Sequence, residues 1–270
     1  MPSLSPADVS AEPDVTPPWP AVDDLPPTAE VYLSAPSGWY ASLKPTFDLL
    51  TAAVFTVLMF PFMAAAWVAI KISSPGPGLY VQTRAGRGGR PFRIFKIRSM
   101  RHDRATAANL NWAAKGDTRI TGVGKLLRVL HLDELPQLFN VLRGEMSLVG
   151  PRPERPEVIA LKGLPDEVPG YHLRTLVRPG VTGLAQIQLP ADTDVTSVKH
   201  KLYYDLYYLS HQSVWLDFRI CVGTVLKCVC GPETLRKLLF LPTREQVCDH
   251  FLSLLIVPEA DGAVATVPVA

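Results

Sequence analysis

Residues 1–43 hold no lysine or arginine, although six of them are acidic. Cysteine is equally scarce: Cys221, Cys228, Cys230 and Cys248 all fall in the last fifth of the chain. That distribution does not suit a disulfide framework and points to a reducing compartment. Cys228-x-Cys230 with Cys248-x-His250 has poor spacing for zinc, and the six histidines form no HExxH or other metal pairing. Neither GxGxxG nor a Walker pattern occurs, so the glycines of AGRGGR (residues 85–90) are a weak nucleotide signal. The N-terminus is acidic and proline-rich without an apolar stretch, unlike a signal peptide. No internal repeat is found.

What is present is uneven. The 270 residues are 47% hydrophobic with a net charge of +2, enough for one substantial core with appendages. Residues 71–104 carry nine Lys/Arg against Asp103 alone, a block suited to phosphate-rich ligands or an anionic membrane surface. Residues 1–41 read as a disordered acidic tail, with nine prolines by position 36.

A membrane helix is expected over 42–72. After Asp48, 22 residues pass without a charge, long enough for a hydrocarbon core of about 30 Å. Pro61 lies at its midpoint, where it removes a helix hydrogen bond and favours a bend. A bent helix could re-enter the side it left, whereas a straight one would span; the residues leave both open. The basic C-terminal flank places 71–104 in the cytoplasm.

Residues 73–230 are expected to form the main domain. GLYVQTR and PFRIFKIRSM read as two strands joined through AGRGGR. Residues 121–143 are helical in pattern, interrupted around Asp133–Pro136, and 196–230 return to helical spacing. In LDELPQLFNVLRG, Asp133 suits a helix N-cap and Gly144 a helix end, so a purely structural reading of the acidic pair exists. Asp192-Thr193-Asp194 spells DxD, a metal motif of many glycosyltransferases, although three-residue patterns arise by chance. Residues 231–270 form an extension whose amphipathic pieces TLRKLLFL and HFLSLLIV suit an interface or a partner. The expected class is α/β, α-rich and membrane-associated, with a membrane helix, interfacial amphipathic helices and a small sheet or hairpin.

Six ordered motifs carry a resemblance. They are KPTFD, FRIFKIRSM, DTRITGVGKLLR, LDELPQLFNVLRGEMSLVGPRP, VRPGVTGLAQ and YYDLYYLSHQSVWLDF. Across residues 42–230 the chain resembles the bacterial sugar transferases, monotopic phosphoglycosyl transferases that begin lipid-linked glycan assembly. The resemblance implies a re-entrant membrane helix, although Phe60-Pro61 stands where relatives often have Ser-Pro. It implies transfer of a phosphosugar from a UDP-sugar to undecaprenyl phosphate or another polyprenyl phosphate, with UMP released and Mg²⁺ required. Asp133 then matches the nucleophile, and Asp133 with Glu134 the metal-binding pair. Lys96, Arg98, Arg128, Arg152, Arg178 and Gln186 lie inside the matched motifs as substrate-binding candidates. Arg84, Arg87 and Arg90 are undecided between lipid headgroups and acceptor phosphate. Asp205, Tyr208 and Asp217 belong to the late motif, and its tyrosines suit packing. His131 reads as incidental.

The implied partners are the donor, the acceptor and the bilayer at the cytoplasmic face of a bacterial inner membrane. No nucleic acid is expected, and a homodimer is left open. Two rivals remain: a UDP-releasing glycosyltransferase acting through the DxD, and a non-catalytic membrane-anchored scaffold.

Overall fold

The computed structural model describes residues 30–100, 120–258 and 264–266. The tail expected over 1–41 lies mostly outside these residues, as do positions 117–119 at the start of DTRIT. In chain order, β1 (Glu30–Val31) precedes α1 (Trp39–Ser73) and a hairpin of β2 (Leu79–Ala85) and β3 (Pro91–Ile97). Then come α2 (Gly122–Val129), a 3₁₀ turn at Leu132–Glu134, α3 (Gln137–Leu142), β4 (Ser147–Val149), α4 (Pro156–Leu161) and α5 (Leu164–Glu167). After a 3₁₀ turn at Tyr171–Leu176 follow β5 (Gly180–Thr182), α6 (Leu184–Gln188), α7 (Val195–Ser210) and α8 (Val214–Leu226). The described chain closes with α9 (Pro232–Leu238), α10 (Arg244–Ser253), β6 (Leu255–Pro258) and β7 (Val264–Thr266).

Among the described residues the fold is helix-rich, with three small sheets and one long apolar helix. The expected hairpin is present: β2 and β3 pair antiparallel from Leu79↔Ile97 to Ala85↔Pro91. β4 and β5 pair in parallel. Their closeness demands glycine, because a Cβ at Gly180 would lie 2.2 Å from the Gly150 nitrogen. The helical spacing expected over 196–230 is present as two helices. The chain turns after Ser210, and the Ser213 side chain caps α8 by accepting from Leu216 N–H.

α1 runs unbroken through Pro45 and Pro61 for 35 residues, about 52 Å at 1.5 Å per residue. Its middle is bare, with Val57, Leu58, Phe60 and Phe62 exposed. Tyr40, Lys44, Asp48 and Ala52 on one side of that stretch are buried, and so are Met63, Ala66 and Ile70 on the other. Eleven residues separate Ala52 from Met63, about three helical turns, so both sets share a face. Ala52 packs with Ile94, Leu138, Val141 and Met146, and Ala66 and Ile70 with Ile97 and Leu127. Both ends of the helix therefore dock on the same folded unit.

The N-terminal dock is polar. Lys44 pairs with Asp48 at 3.3 Å and with Asp217 at 2.5 Å. Ser147 donates to Asp48 at 2.6 Å, while Tyr40 and Tyr208 donate to the two oxygens of Asp217 at 2.6 and 2.9 Å. KPTFD, MSLVG and the late motif thus meet in one buried network.

The largest core gathers Leu202, Tyr203, Leu206, Leu209, Leu216 and Ile220 with residues of the C-terminal extension. Leu235, Val247, Phe251 and Leu255 are fully or almost fully buried, and Phe251 meets the Tyr203 ring at 4.1 Å. Each such side chain removed from water contributes about 1.5–3 kcal/mol. The extension's amphipathic pieces therefore turn apolar faces into the core, while Leu238 and Phe240 stay exposed.

Candidate active site

The acidic pair sits at a break between helices. α2 ends at Val129 with Leu130 as its C-cap, and His131 takes the left-handed conformation, φ 54°. A helix end of this kind normally uses glycine, because Cβ crowds the backbone there. Asp133 and Glu134 follow inside a single 3₁₀ turn, and α3 starts only at Gln137, with Pro136 as an N-cap that makes no side-chain bond. Asp133 therefore does not cap a helix, contrary to expectation. The left-handed His131 separates the pair from α2, and the 3₁₀ turn separates it from α3.

Glu134 is held by two cations. Lys96, from β3, donates to Oε1 at 2.5 Å, and Arg152, from the GPRP turn after β4, donates to the same oxygen at 3.0 Å. Burial alone would raise this carboxyl, but the Arg152 and Lys96 charges override it and hold it well below the usual carboxylate range. Asp133 is pushed the other way: burial raises it first, and the neighbouring Glu134 charge adds to that. Lys96, Arg128 and His131 oppose the rise without cancelling it. Two adjacent carboxylates are thus driven apart in basicity by their surroundings, the pattern of groups with different roles.

Arg152 is itself positioned from behind. Its backbone carbonyl accepts from Arg174 Nη2 at 3.1 Å, and Arg174 is ion-paired with buried Asp205 at 2.7 Å. Burial pushes the Asp205 carboxyl up to about 6, with Arg174 and Lys201 pulling against it. The late-motif residues Asp205, Tyr208 and Asp217 are therefore supports.

A cleft of about 630 Å³ is lined by Glu134, Arg152, Gln186, Lys227, Asp192 and Lys201, among others. That volume is in the range of sites for cofactor-sized molecules. His131 lines it too. Asp133 does not line the cleft and is 7% exposed.

Of the other candidates, all but Arg84 lie away from the cleft lining. Arg98 is a latch: its guanidinium donates to the Pro75 and Ser74 carbonyls at 2.6 and 2.7 Å, tying down the chain after α1. Arg128 donates to Ser99 Oγ at 2.8 Å, and its charge is felt at Asp133. Arg178 lines a separate cavity of about 120 Å³ beside Lys44 and Arg87, not the cleft. Arg84 lines the cleft and donates to the Pro153 carbonyl. Lys201 and Lys227 went unnoticed in the sequence, since no local pattern marks a lysine whose helix happens to face a cleft.

The DxD does not converge on a metal. Asp194 caps α7, accepting from Ser197 N–H at 2.7 Å in a reciprocal capping box. Asp192 points to Lys201 in the cleft. Among the described residues no group of three or more His, Cys, Asp or Glu could hold an ion. The residues present do fit Mg²⁺ that arrives on phosphate. Such an ion needs one or two carboxylates, with phosphate and water completing its shell. Glu134 Oε2 is free of described partners, and Asp133 is adjacent.

The description of the family model that matches residues 39–231 is bacterial sugar transferase. Over 196 residues the chain is 42% identical to the UDP-N-acetylgalactosamine-undecaprenyl-phosphate N-acetylgalactosaminephosphotransferase of Aeromonas hydrophila, covering 73% of this chain and 46% of that one. It is 41% identical over 209 residues to the UDP-glucose:undecaprenyl-phosphate glucose-1-phosphate transferase of Caulobacter vibrioides, covering 75% and 77% respectively. It is also 41% identical over 187 residues to the exopolysaccharide production protein PSS of Rhizobium leguminosarum bv. phaseoli, covering 68% and 94%. The aligned stretch is less than half of the Aeromonas protein but nearly all of the Rhizobium one. The match across residues 39–231 and the 41% identity to the Caulobacter protein over three quarters of each chain show that the chain belongs to the bacterial sugar transferase family.

Proposed function

We propose that this protein moves a sugar phosphate from a UDP-sugar to undecaprenyl phosphate and releases UMP. The observation that carries the proposal is Glu134, fixed by Lys96 and Arg152 in the lining of the cleft, beside an Asp133 of raised basicity. The names of the Aeromonas and Caulobacter relatives supply the substrate classes.

In this reading the donor diphosphate enters against Arg152 and Lys96, whose charges offset its own. The Asp133 carboxylate, which lies beside the cleft between the lining residues His131 and Glu134, turns toward the donor and attacks the β-phosphorus. The bond from that phosphorus to the oxygen bridging to the α-phosphate breaks, and UMP leaves with the electron pair. An oxygen of the lipid phosphate then attacks the aspartyl-phosphosugar, forming the lipid diphosphate sugar and restoring the carboxylate. Dividing the displacement into two steps lets a soluble donor and a membrane-held acceptor use one nucleophile in turn. The enclosure of Asp133 keeps water from the mixed anhydride, and its raised basicity strengthens it as a nucleophile. Asp133 and Glu134 Oε2 would hold Mg²⁺, which when bound neutralises diphosphate charge and eases UMP departure.

The membrane reading rests on α1. A helix spanning the bilayer would put its ends on opposite faces, whereas here both dock on one unit. That supports a re-entrant helix whose bare middle dips into lipid, with the basic residues after it on the cytoplasmic face of the inner membrane. Exposed Leu126 and Val129 on α2, and Trp215 and Phe218 on α8, suit the same interface.

The test is nucleotide release by the full-length protein in detergent or nanodiscs, with undecaprenyl phosphate, Mg²⁺ and a panel of UDP-sugars. Wild type is expected to release UMP, and Asp133→Asn at least ~10³-fold less. Release of UDP would overturn the reaction. Unchanged UMP release by Asp133→Asn would overturn the aspartyl route.

A further inference from the structure

Besides Glu134 and Arg152, the cleft is lined by a second, differently built charged pair. Lys201, from α7, lies 2.8 Å from Asp192 Oδ1, with both side chains about nine-tenths buried. Both line the cleft. The structural need for an aspartate in this loop is already met, because Asp194 caps α7 in its capping box with Ser197 and without Asp192. Gln186 adds a neighbouring polar group: its Nε2 donates to the Val181 carbonyl, while its buried Oε1 has no partner among the described residues.

A carboxylate and an ammonium held together offer two acceptor oxygens beside unused N–H donors. That is the complement of a vicinal diol, whose hydroxyls both donate and accept. Mutual neutralisation also matters in a cleft meant for a diphosphate. A lone aspartate would repel the donor, whereas the pair adds no net charge.

We propose that Asp192 and Lys201 read a vicinal diol of the nucleotide-sugar donor. The proposal rests on the donor reading of the cleft given above and names the part of the donor bound by this pair. Vicinal diols occur in both the transferred sugar and the ribose, and the experiment separates the two sources. A site built to hydrogen-bond a hydroxyl rejects analogues that misplace it, because its own buried groups are then left unpaired.

Steady-state kinetics would compare full-length wild type, Asp192→Asn and Asp192→Glu. The donors are UDP-glucose, UDP-galactose, their N-acetylamino counterparts, and the 2′-deoxyuridine analogue of the best of these. Asp192→Asn is expected to raise KM about tenfold and to leave kcat within about threefold, since no reacting atom is touched. If the diol belongs to the sugar, the preference for the best donor over its C4 epimer contracts by about tenfold and the 2′-deoxy penalty is unchanged. If it belongs to the ribose, the penalty disappears and the epimer preference stands. Unchanged KM and unchanged ratios in a folded variant overturn the proposal and leave the pair as a staple between loop and helix. Should Asp192→Asn fail to fold, Asp192→Glu keeps Lys201 paired while displacing the carboxylate, and wild-type ratios there overturn it equally. Asp133-dependent UMP release by wild type, alongside indifference to Asp192, would sink this inference alone. No UMP from wild type would sink the function reading first.

Discussion

Two charge networks tie this molecule together, and they are finished to different degrees. At the N-terminal end of α1, Lys44 is matched by two carboxylates, and Tyr40, Tyr208 and Ser147 satisfy their remaining oxygens. At the cleft, Lys96 and Arg152 converge on one oxygen of Glu134, while its second oxygen and Asp133 find no partner among the described residues. A network with its lone pairs filled holds a helix in place. One with open lone pairs beside two cations is arranged to receive something, which in the function proposed above is phosphate with its metal.

The sharpest way to break the comparison is at the anchor. Lys44→Met leaves Asp48 and Asp217 as buried carboxylates without a counter-charge, a change that costs about 3–5 kcal/mol. Thermal unfolding in detergent should show the loss, while the kcat of the remaining folded protein stays near wild type. Equal losses of kcat and stability would mean that the anchor also shapes the cleft.

At the cleft, Glu134→Gln should cost less, about 2–3 kcal/mol, because the Glu134 and Lys96 side chains keep 16% exposure and Arg152 keeps 35%. Here kcat should fall together with stability. A variant with wild-type Tm would show that Lys96 and Arg152 find other partners.

The smallest effect has the opposite sign. The folded protein holds the Asp133 proton more tightly than the unfolded chain, so ionised Asp133 costs stability above its raised folded value. That cost fades as pH falls through the folded value towards the ordinary aspartate range. Asp133→Asn should therefore have a Tm at or above wild type at pH 7, with the difference closing in acid. The acidic limb of wild-type activity should lie above the ordinary aspartate range for the same reason. A lower Tm for Asp133→Asn at pH 7 would mean that the carboxylate is a structural group after all. Glu134 behaves conversely. Its pair is present above the ordinary glutamate range and is lost only as pH falls through its depressed folded value.

Much of the site was legible because its residues lie in contiguous motifs. Lys96, Glu134 and Arg152 come together from FKIRSM, LDELP and GPRP, and the two strands follow from alternation around a glycine-rich turn. What resisted was the direction each side chain takes. Arg98 and Lys96 share a motif, yet one latches the chain after α1 and the other reaches Glu134. Arg178 seemed equivalent to Arg152 but opens onto another cavity. Asp133 had every local mark of an N-cap, and a single left-handed residue at His131 changed its role.

The amino-acid sequence by itself determined the apolar helix, the hairpin and the acidic pair among cations, because hydropathy, periodicity and turn chemistry act between near neighbours. Tertiary structure alone decided that Lys44 meets Asp217 across 173 positions, and that both ends of α1 rest on one unit. It also separated the aspartates of the DxD, giving one to a helix cap and the other to the cleft. Burial and the charges brought in from distant segments set these outcomes, and neither is a property of any short stretch of chain.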